Sequence, residues 1–374
     1  MNSIINIGMD VHSTNYTLCG FTMAGQRPFA QSTINPDLKE RDKYLTTLNQ
    51  ELGGGCEFLC GYEAGCLGYS LYHQIRNHKW KGLKVDCIIL APSTMPASQK
   101  ERVKTDKRDA LKIAKCLTYS TYSAVYVPTD EDNAVKEYIR MRDDALKLVK
   151  QTKQQINALS LRHGFQYDGK SKWTKRHLTW LHELELPHAL LLETLEEYLA
   201  TLAHLTEKIQ RFDRRIEELS QTEHYAEAAS HLGCLKGVAP HTAMALISEI
   251  GDFQRFPSAQ QFSAFLGLVP GERSSGTSQR RGCITKAGNA HLRRLLMESA
   301  STFSKGMVGR KSIALRKRQQ GNPPAVIAYA DRANDRLKRK YLRLAKRSRT
   351  NVAKTAVGRE LACFIWGMMT GRID

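Results

Sequence analysis

Short runs of apolar residues, broken by turn-forming positions, mark out the first ninety residues of the chain. IINIGMD (4–10) and YTLCGFT (16–22) alternate or cluster apolar side chains over strand length, and Gly25 supplies the turn that follows. PFAQSTIN predicts a third strand, which would complete an antiparallel meander. A helix is expected over 37–50, then a buried strand in CEFLCGYEA, an amphipathic helix in LGYSLYHQIRNHK and another apolar strand in VDCIILAPS.

Beyond that the spacing changes from two to about three and a half. VPTDEDN reads as a linker into a long helical segment from Ala134 to His163, with Ile139, Leu146, Val149, Ile156 and Leu159 on its apolar face. After a polar, Lys-rich connection, Leu191, Leu195, Tyr198, Leu202, Leu205, Ile209, Phe212, Ile216 and Leu219 alternate spacings of four and three without exception. Such a heptad seam suits either a coiled-coil dimer or an antiparallel hairpin with residues 134–163 of the same chain. LGCLKGVAPHTAMALISEIGDF then has the outline of a helix-hairpin-helix turned at Gly237, with a second helix starting near Pro240. The amides at that N-terminus could take a phosphate, although a glycine-turned helix pair is also a common packing unit. Basic helices are expected from 323 to 365.

The expected fold class is therefore α/β plus α. A ribonuclease H-like domain spans 1–127, a helical coiled-coil middle 128–222, and a mostly helical domain with a helix-hairpin-helix-like start 223–374. No apolar run reaches membrane-spanning length, and no charged-then-apolar signal segment opens the chain. Nine scattered cysteines suggest reduced thiols and a cytoplasmic location. Cys56, Cys60 and Cys66 lack the paired spacing of a zinc knuckle and are expected to be buried and inert.

Charge alters the picture at the C-terminal end. The net charge is +19, and residues 223–374 hold 26 Lys/Arg against 10 Asp/Glu, whereas 131–222 is balanced at 15 against 15. A basic segment joined to a neutral one points to a polyanionic partner. Lys236, Arg273, Arg280, Arg281, Lys286, Arg293 and Arg294 are the candidate contacts in this region.

Four acids supply the candidate chemistry. Asp10 ends the first strand, Glu63 ends the fourth, and Asp106 and Asp109 stand one helical turn apart in VKTDKRDALKIAK. Hard divalent cations favour such oxygen ligands, and a pair of them can activate an attacking oxygen and stabilise a leaving one in phosphodiester cleavage. Mg2+ or Mn2+ is the expected cofactor. Lys104, Lys107 and Arg108 would neutralise phosphates brought to it. Each acid taken singly could equally be a solvated side chain or a helix start.

GMDVH, GYEA, KTDKRDA, LKGVAPHTAMALISEIGDF, FLGLVPGERSSGTSQRRGCITKAGNAHLRRLL and NVAKTAVGRELACFIW together resemble the DEDD-type transposases of the insertion-sequence one-ten family, nearly end to end. The resemblance implies a RuvC-like domain with catalytic, metal-binding Asp10, Glu63, Asp106 and Asp109. It also implies a nucleophilic serine in Arg273–Ser274–Ser275–Gly276, assigned to Ser274 with Ser275 as the other choice. The implied partners are donor and target DNA, a structured bridge RNA encoded by the element, and further copies of the chain: a dimer through the coiled coil and a tetramer when active. Two other readings stand beside it. One is a RuvC-like junction nuclease using water, and the other is a non-catalytic nucleic-acid-binding scaffold.

Overall fold

A computed structural model describes residues 4–96, 105–272 and 281–373, apart from the side chains of Ser93 and Arg281. The described chain divides into two compact units, Met1–Val127 and Pro128–Asp374.

The first unit is built on five strands in the order β3-β2-β1-β4-β5. β1 (Ile4–Val11), β2 (Tyr16–Phe21) and β3 (Phe29–Ile34) form the antiparallel meander, and α1 (Leu38–Glu51) follows, N-capped by Asp37. β4 (Glu57–Glu63) then pairs parallel with β1, α2 (Ser70–Asn77) crosses over, and β5 (Lys84–Leu90) pairs parallel with β4. α3 (Asp106–Thr118) closes the unit. This mixed sheet between helices has the topology of the ribonuclease H and RuvC folds.

Alternation along the strands decides which helix lies on which face. Ile5, Ile7 and Met9 of β1, with Phe58, Cys60 and Tyr62 of β4, share a core with Leu45 and Leu48 of α1 and Leu71 and Ile75 of α2. The opposite face, from Leu59 and Leu90, packs on Ile113, Cys116 and Leu117 of α3.

The second unit is helical. α4 (Asp130–Arg162) starts four residues earlier than Ala134, because the Thr129 hydroxyl accepts from the Asp132 amide and three acids fill its first turn. α5 (Lys175–His182) folds in the Lys-rich connection, where an aromatic group of Tyr167, Trp173, His177 and Trp180 collects. α6 (Ala189–Leu219) carries the heptad seam. That seam is spent within the chain: Leu195, Leu202 and Leu205 join Val149, Ile156 and Leu159 of α4 in one core, with Leu191, Tyr198 and Ile209 at its margin. The antiparallel hairpin is the observed arrangement.

α7 (Ala226–Gly233), α8 (Pro240–Ile250), α9 (Ala259–Phe265), the ribbon β6 (Pro270–Glu272) and β7 (Arg281–Ile284), α10 (Ala290–Ser301) and α11 (Ile313–Gln319) lead to α12 (Pro324–Ala345) and α13 (Thr350–Met369). α8 is apolar nearly all round and fills the centre. Val135, Ile139 and Ile216 share this core with Leu295, Ala333, Leu337, Val357 and Leu361. The basic helices α12 and α13 are therefore structural walls as well as charged surface. Among the described residues no helix is long and apolar enough to cross a membrane. All nine cysteines are free; Cys56 and Cys60 are buried, but Cys66 is exposed, since it lies past the end of β4 where the sheet no longer covers it.

Candidate metal centre

Two glycines set the geometry of the acidic site. Gly8 and Gly61 are register partners on β1 and β4, and both lie on the face covered by α3. A Cβ at Gly8 would stand 2.0 Å from the Ala110 carbonyl oxygen and 2.3 Å from the Ala114 amide, so α3 rests on bare strand backbone. A Cβ at Gly61 would meet Leu117 and Leu90 methyls at 2.9 Å. The side chains two positions on point to the same face. Those are Asp10 and Glu63, at the ends of adjacent parallel strands about 4.8 Å apart. The repeated pattern, glycine–any–acid, thus seats the helix and aims the acids at its N-terminal end.

α3 delivers the other two. Asp106 and Asp109 occupy its first turn, where the helix dipole is positive and unpaired amides favour anions. Ligand atoms of Asp10, His12 and Asp106 lie within 4.8 Å of one another. His12 Nε2 is 3.4 Å from Asp10 Oδ2. Burial pushes the Asp10 carboxyl above its ordinary pKa; His12 opposes this, while the Asp106 and Asp109 charges add to it. Like charges held together against burial fit a cation between them. Glu63 is exposed at the strand end and lies outside the Asp10–His12–Asp106 cluster among the described residues.

His12 was absent from the sequence-derived ligands. The signal was present, because Asp10 and His12 are two apart on an extended segment and so share a face. Imidazole beside carboxylates is compatible with Mn2+.

Of the basic candidates near the acids, Lys107 and Arg108 are exposed on the first turn of α3. Lys104 lies outside the described residues, as do Arg273, Ser274, Ser275 and Arg280. Arg281 opens β7. Lys286 is exposed and adopts φ 56°, a left-handed conformation stabilised by its amide donating to the Gly267 carbonyl. Three others are engaged inside the protein. Arg293 Nη1 donates to the carbonyls of Leu266 (3.0 Å) and Ala287 (3.2 Å). Arg294 pairs with Asp143 and Glu298. Lys236 Nζ donates to the Lys305 carbonyl at 2.8 Å and stands over the Phe303 ring. The turn at Gly237 (φ 85°) packs on α10, where a Cβ would lie 2.6 Å from the Ser299 carbonyl oxygen, and the Lys236 amide donates to Asn334 Oδ1. The tip of that helix pair is a packing unit.

Comparison with known proteins agrees with this geometry. A family model described as "Transposase IS116/IS110/IS902 family" matches residues 229–312, and a DEDD-type IS110 model described as "Transposase" matches residues 7–163. The chain is 37% identical over 309 residues to "Putative transposase y4qE" of Sinorhizobium fredii, covering 82% of this chain and 74% of that protein. It is 30% identical to the "Transposase for insertion sequence element IS1533" of Leptospira borgpetersenii, covering 92% of this chain and 97% of that one. The "Transposase for insertion sequence element IS1111A" of Coxiella burnetii is 25% identical over 89% of this chain and 88% of its own length.

Proposed function

Because this chain belongs to the IS110 family of DEDD transposases, we propose that it cuts and exchanges DNA strands at the Asp10–Glu63–Asp106–Asp109 site in a divalent-metal-dependent reaction. The observation that carries this is the convergence of ligand atoms from Asp10, His12 and Asp106 at the N-terminal end of α3. A bound divalent cation would polarise the scissile phosphate and lower the cost of forming an oxyanion nucleophile. Asp10 and Asp106 would hold it, with Glu63 and Asp109 completing the oxygen ligands. Lys107 and Arg108 would draw the phosphate backbone to the exposed edge of the site.

The attacking oxygen is water or a serine hydroxyl. Attack by Ser274 would leave a phosphoserine link, conserve the phosphodiester bond energy and allow rejoining without external fuel. The family resemblance supports that route. The carboxylate geometry supports metal-dependent cleavage by either nucleophile. The same resemblance supports a structured RNA as guide, with sequence choice made by base pairing and the basic 223–374 segment holding backbone.

One experiment separates the routes. Purified protein, candidate guide RNA and donor DNA are mixed with Mg2+ or Mn2+ and resolved under denaturing conditions. A protein–DNA adduct lost in Ser274→Ala establishes the serine route. Nicking without an adduct establishes hydrolysis by water. Asp10→Asn should lower cleavage by at least about a hundredfold while leaving DNA binding intact. Full activity in that variant, or in excess chelator, overturns the proposal.

A further inference from the structure

A second cluster of charge sits in the helical unit. His291 of α10 enters a polar pocket walled by α4 and α8. Its Nε2 lies 2.7 Å from Asp143 Oδ2 and its Nδ1 2.9 Å from Glu249 Oε1. The two carboxylates are only 5% and 3% exposed. Arg140 donates to both oxygens of Glu249, at 2.9 and 3.0 Å, and Asn289 Nδ2 donates to it at 2.6 Å. Asp143 accepts from Arg142 and Arg294 and faces His241 Nε2 at 3.0 Å. Lys136 adds positive charge near Glu249, and Asp213 and Glu298 hold the outer sides of Arg142 and Arg294.

A neutral imidazole offers one donor and one acceptor. Here both ring nitrogens meet ionised carboxylates, which only accept, so both nitrogens carry protons and the ring is the imidazolium. Burial by itself would lower the His291 pKa, but the hydrogen bonds and charges of Asp143 and Glu249 outweigh it and hold the pKa above its ordinary value. Glu249, despite burial, is held down to about 2 by His291, Arg140 and Asn289.

What this cluster grips is the root of the β6–β7 ribbon. Asn289 caps α10 through the Leu292 amide, and its own amide donates to the Phe265 carbonyl. The Lys286 amide donates to Gly267 and the Thr285 amide to Val269. Gly267 (φ 65°) and Gly288 (φ 75°) allow the two chain segments to touch: a Cβ at Gly288 would stand 2.0 Å from the Phe265 carbonyl oxygen. The root is thus tied to the helices by Arg293 and, through Asn289, by Glu249.

We propose that the His291 imidazolium is a positioning residue, locking the root of the β6–β7 ribbon to α4 and α8, and that strand transfer proceeds only while this ring is protonated. This rests on the reading that the C-terminal segment between those strands takes part in strand transfer. Losing the ring proton would turn one hydrogen bond into a lone pair facing a buried carboxylate, loosening Glu249 and the Asn289 cap with it.

The test follows the full-length protein with guide RNA, donor DNA and Mn2+ over a range of pH. Formation of an oxyanion nucleophile alone would make the rate rise with pH. The clamp instead imposes a falling limb above the His291 pKa, of about tenfold per pH unit, which His291→Gln abolishes. In parallel, hydrogen exchange at the Lys286 and Asn289 amides, corrected for the chemical exchange rate, reports the root directly. Wild-type protection should fall as pH rises through that pKa, whereas in His291→Gln it should be low and independent of pH. A wild-type pH profile in the variant, or wild-type protection that does not change with pH, overturns the proposal. If the variant does not fold, wild-type exchange alone decides. If no adduct forms at any pH, the serine route fails, and the exchange measurement still decides the clamp.

Discussion

At the scale of single residues, the glycines matter as much as the acids. Gly8→Ala would place a methyl inside the α3 backbone, where no side-chain rotation can relieve it. We expect a loss of stability of about 2 kcal/mol or more, read as a lower denaturant midpoint, together with loss of cleavage as α3 lifts Asp106 away. Glu249 gives a pH-dependent counterpart. Its pKa is depressed from 4.5 to about 2, so its stabilisation is fully present above its unfolded value and is lost as pH falls toward 2. Glu249→Gln should remove that acid-sensitive component, roughly 3 kcal/mol, and be less stable than wild type at neutral pH. Urea melts of both proteins at pH 7 and at low pH measure it. Asp10 and Asp106, which the fold brings together with His12, were legible in the sequence because strand ends and helix starts can be read locally. Asp143 was not, because it lies one turn beyond Ile139 on the buried stripe of α4, and nothing local says that a carboxylate there will meet His291.

At the scale of elements, periodicity was a good guide wherever an element was long enough to show it. The meander, the alternating strands and the α6 seam follow directly from it. The helix α5 escaped because eight residues barely complete two turns, and what holds it is the aromatic group around His177. The seam itself could not say what it faced, since two copies or two segments of one chain satisfy the same heptads. With α4 as the observed partner, Leu202→Ala should cost about 2–4 kcal/mol and lower the melting temperature equally at all protein concentrations. A melting temperature that instead rises with concentration would place the seam between subunits.

At the scale of the whole molecule, the basic end is part of the core as well as a charged surface. Leu337 and Leu361 lie in the core, so removing 323–365 would unfold the unit and could not report on charge. The exposed stripe Arg339, Arg343 and Arg347, spaced one turn apart along and just past α12, separates the two. Changing all three to Ala should leave the melting temperature unchanged, weaken DNA and RNA binding, and reduce the salt slope by as much as about three. Binding titrations at several salt concentrations decide it; an unchanged slope puts the polyanion surface elsewhere.

The local pattern alone settled the sheet, the long helices and the excess of positive charge, and it put forward four acids as candidates, because each depends on neighbours within a few positions. Only the packed chain decided that α3 lies on the paired glycines, that the heptads close on α4, and that His291 stands between two buried carboxylates. Those arrangements join residues far apart in the chain, up to 148 positions for Asp143 and His291. They are selected by which close approaches the backbone allows and which buried charges find partners, conditions that no stretch of sequence expresses by itself.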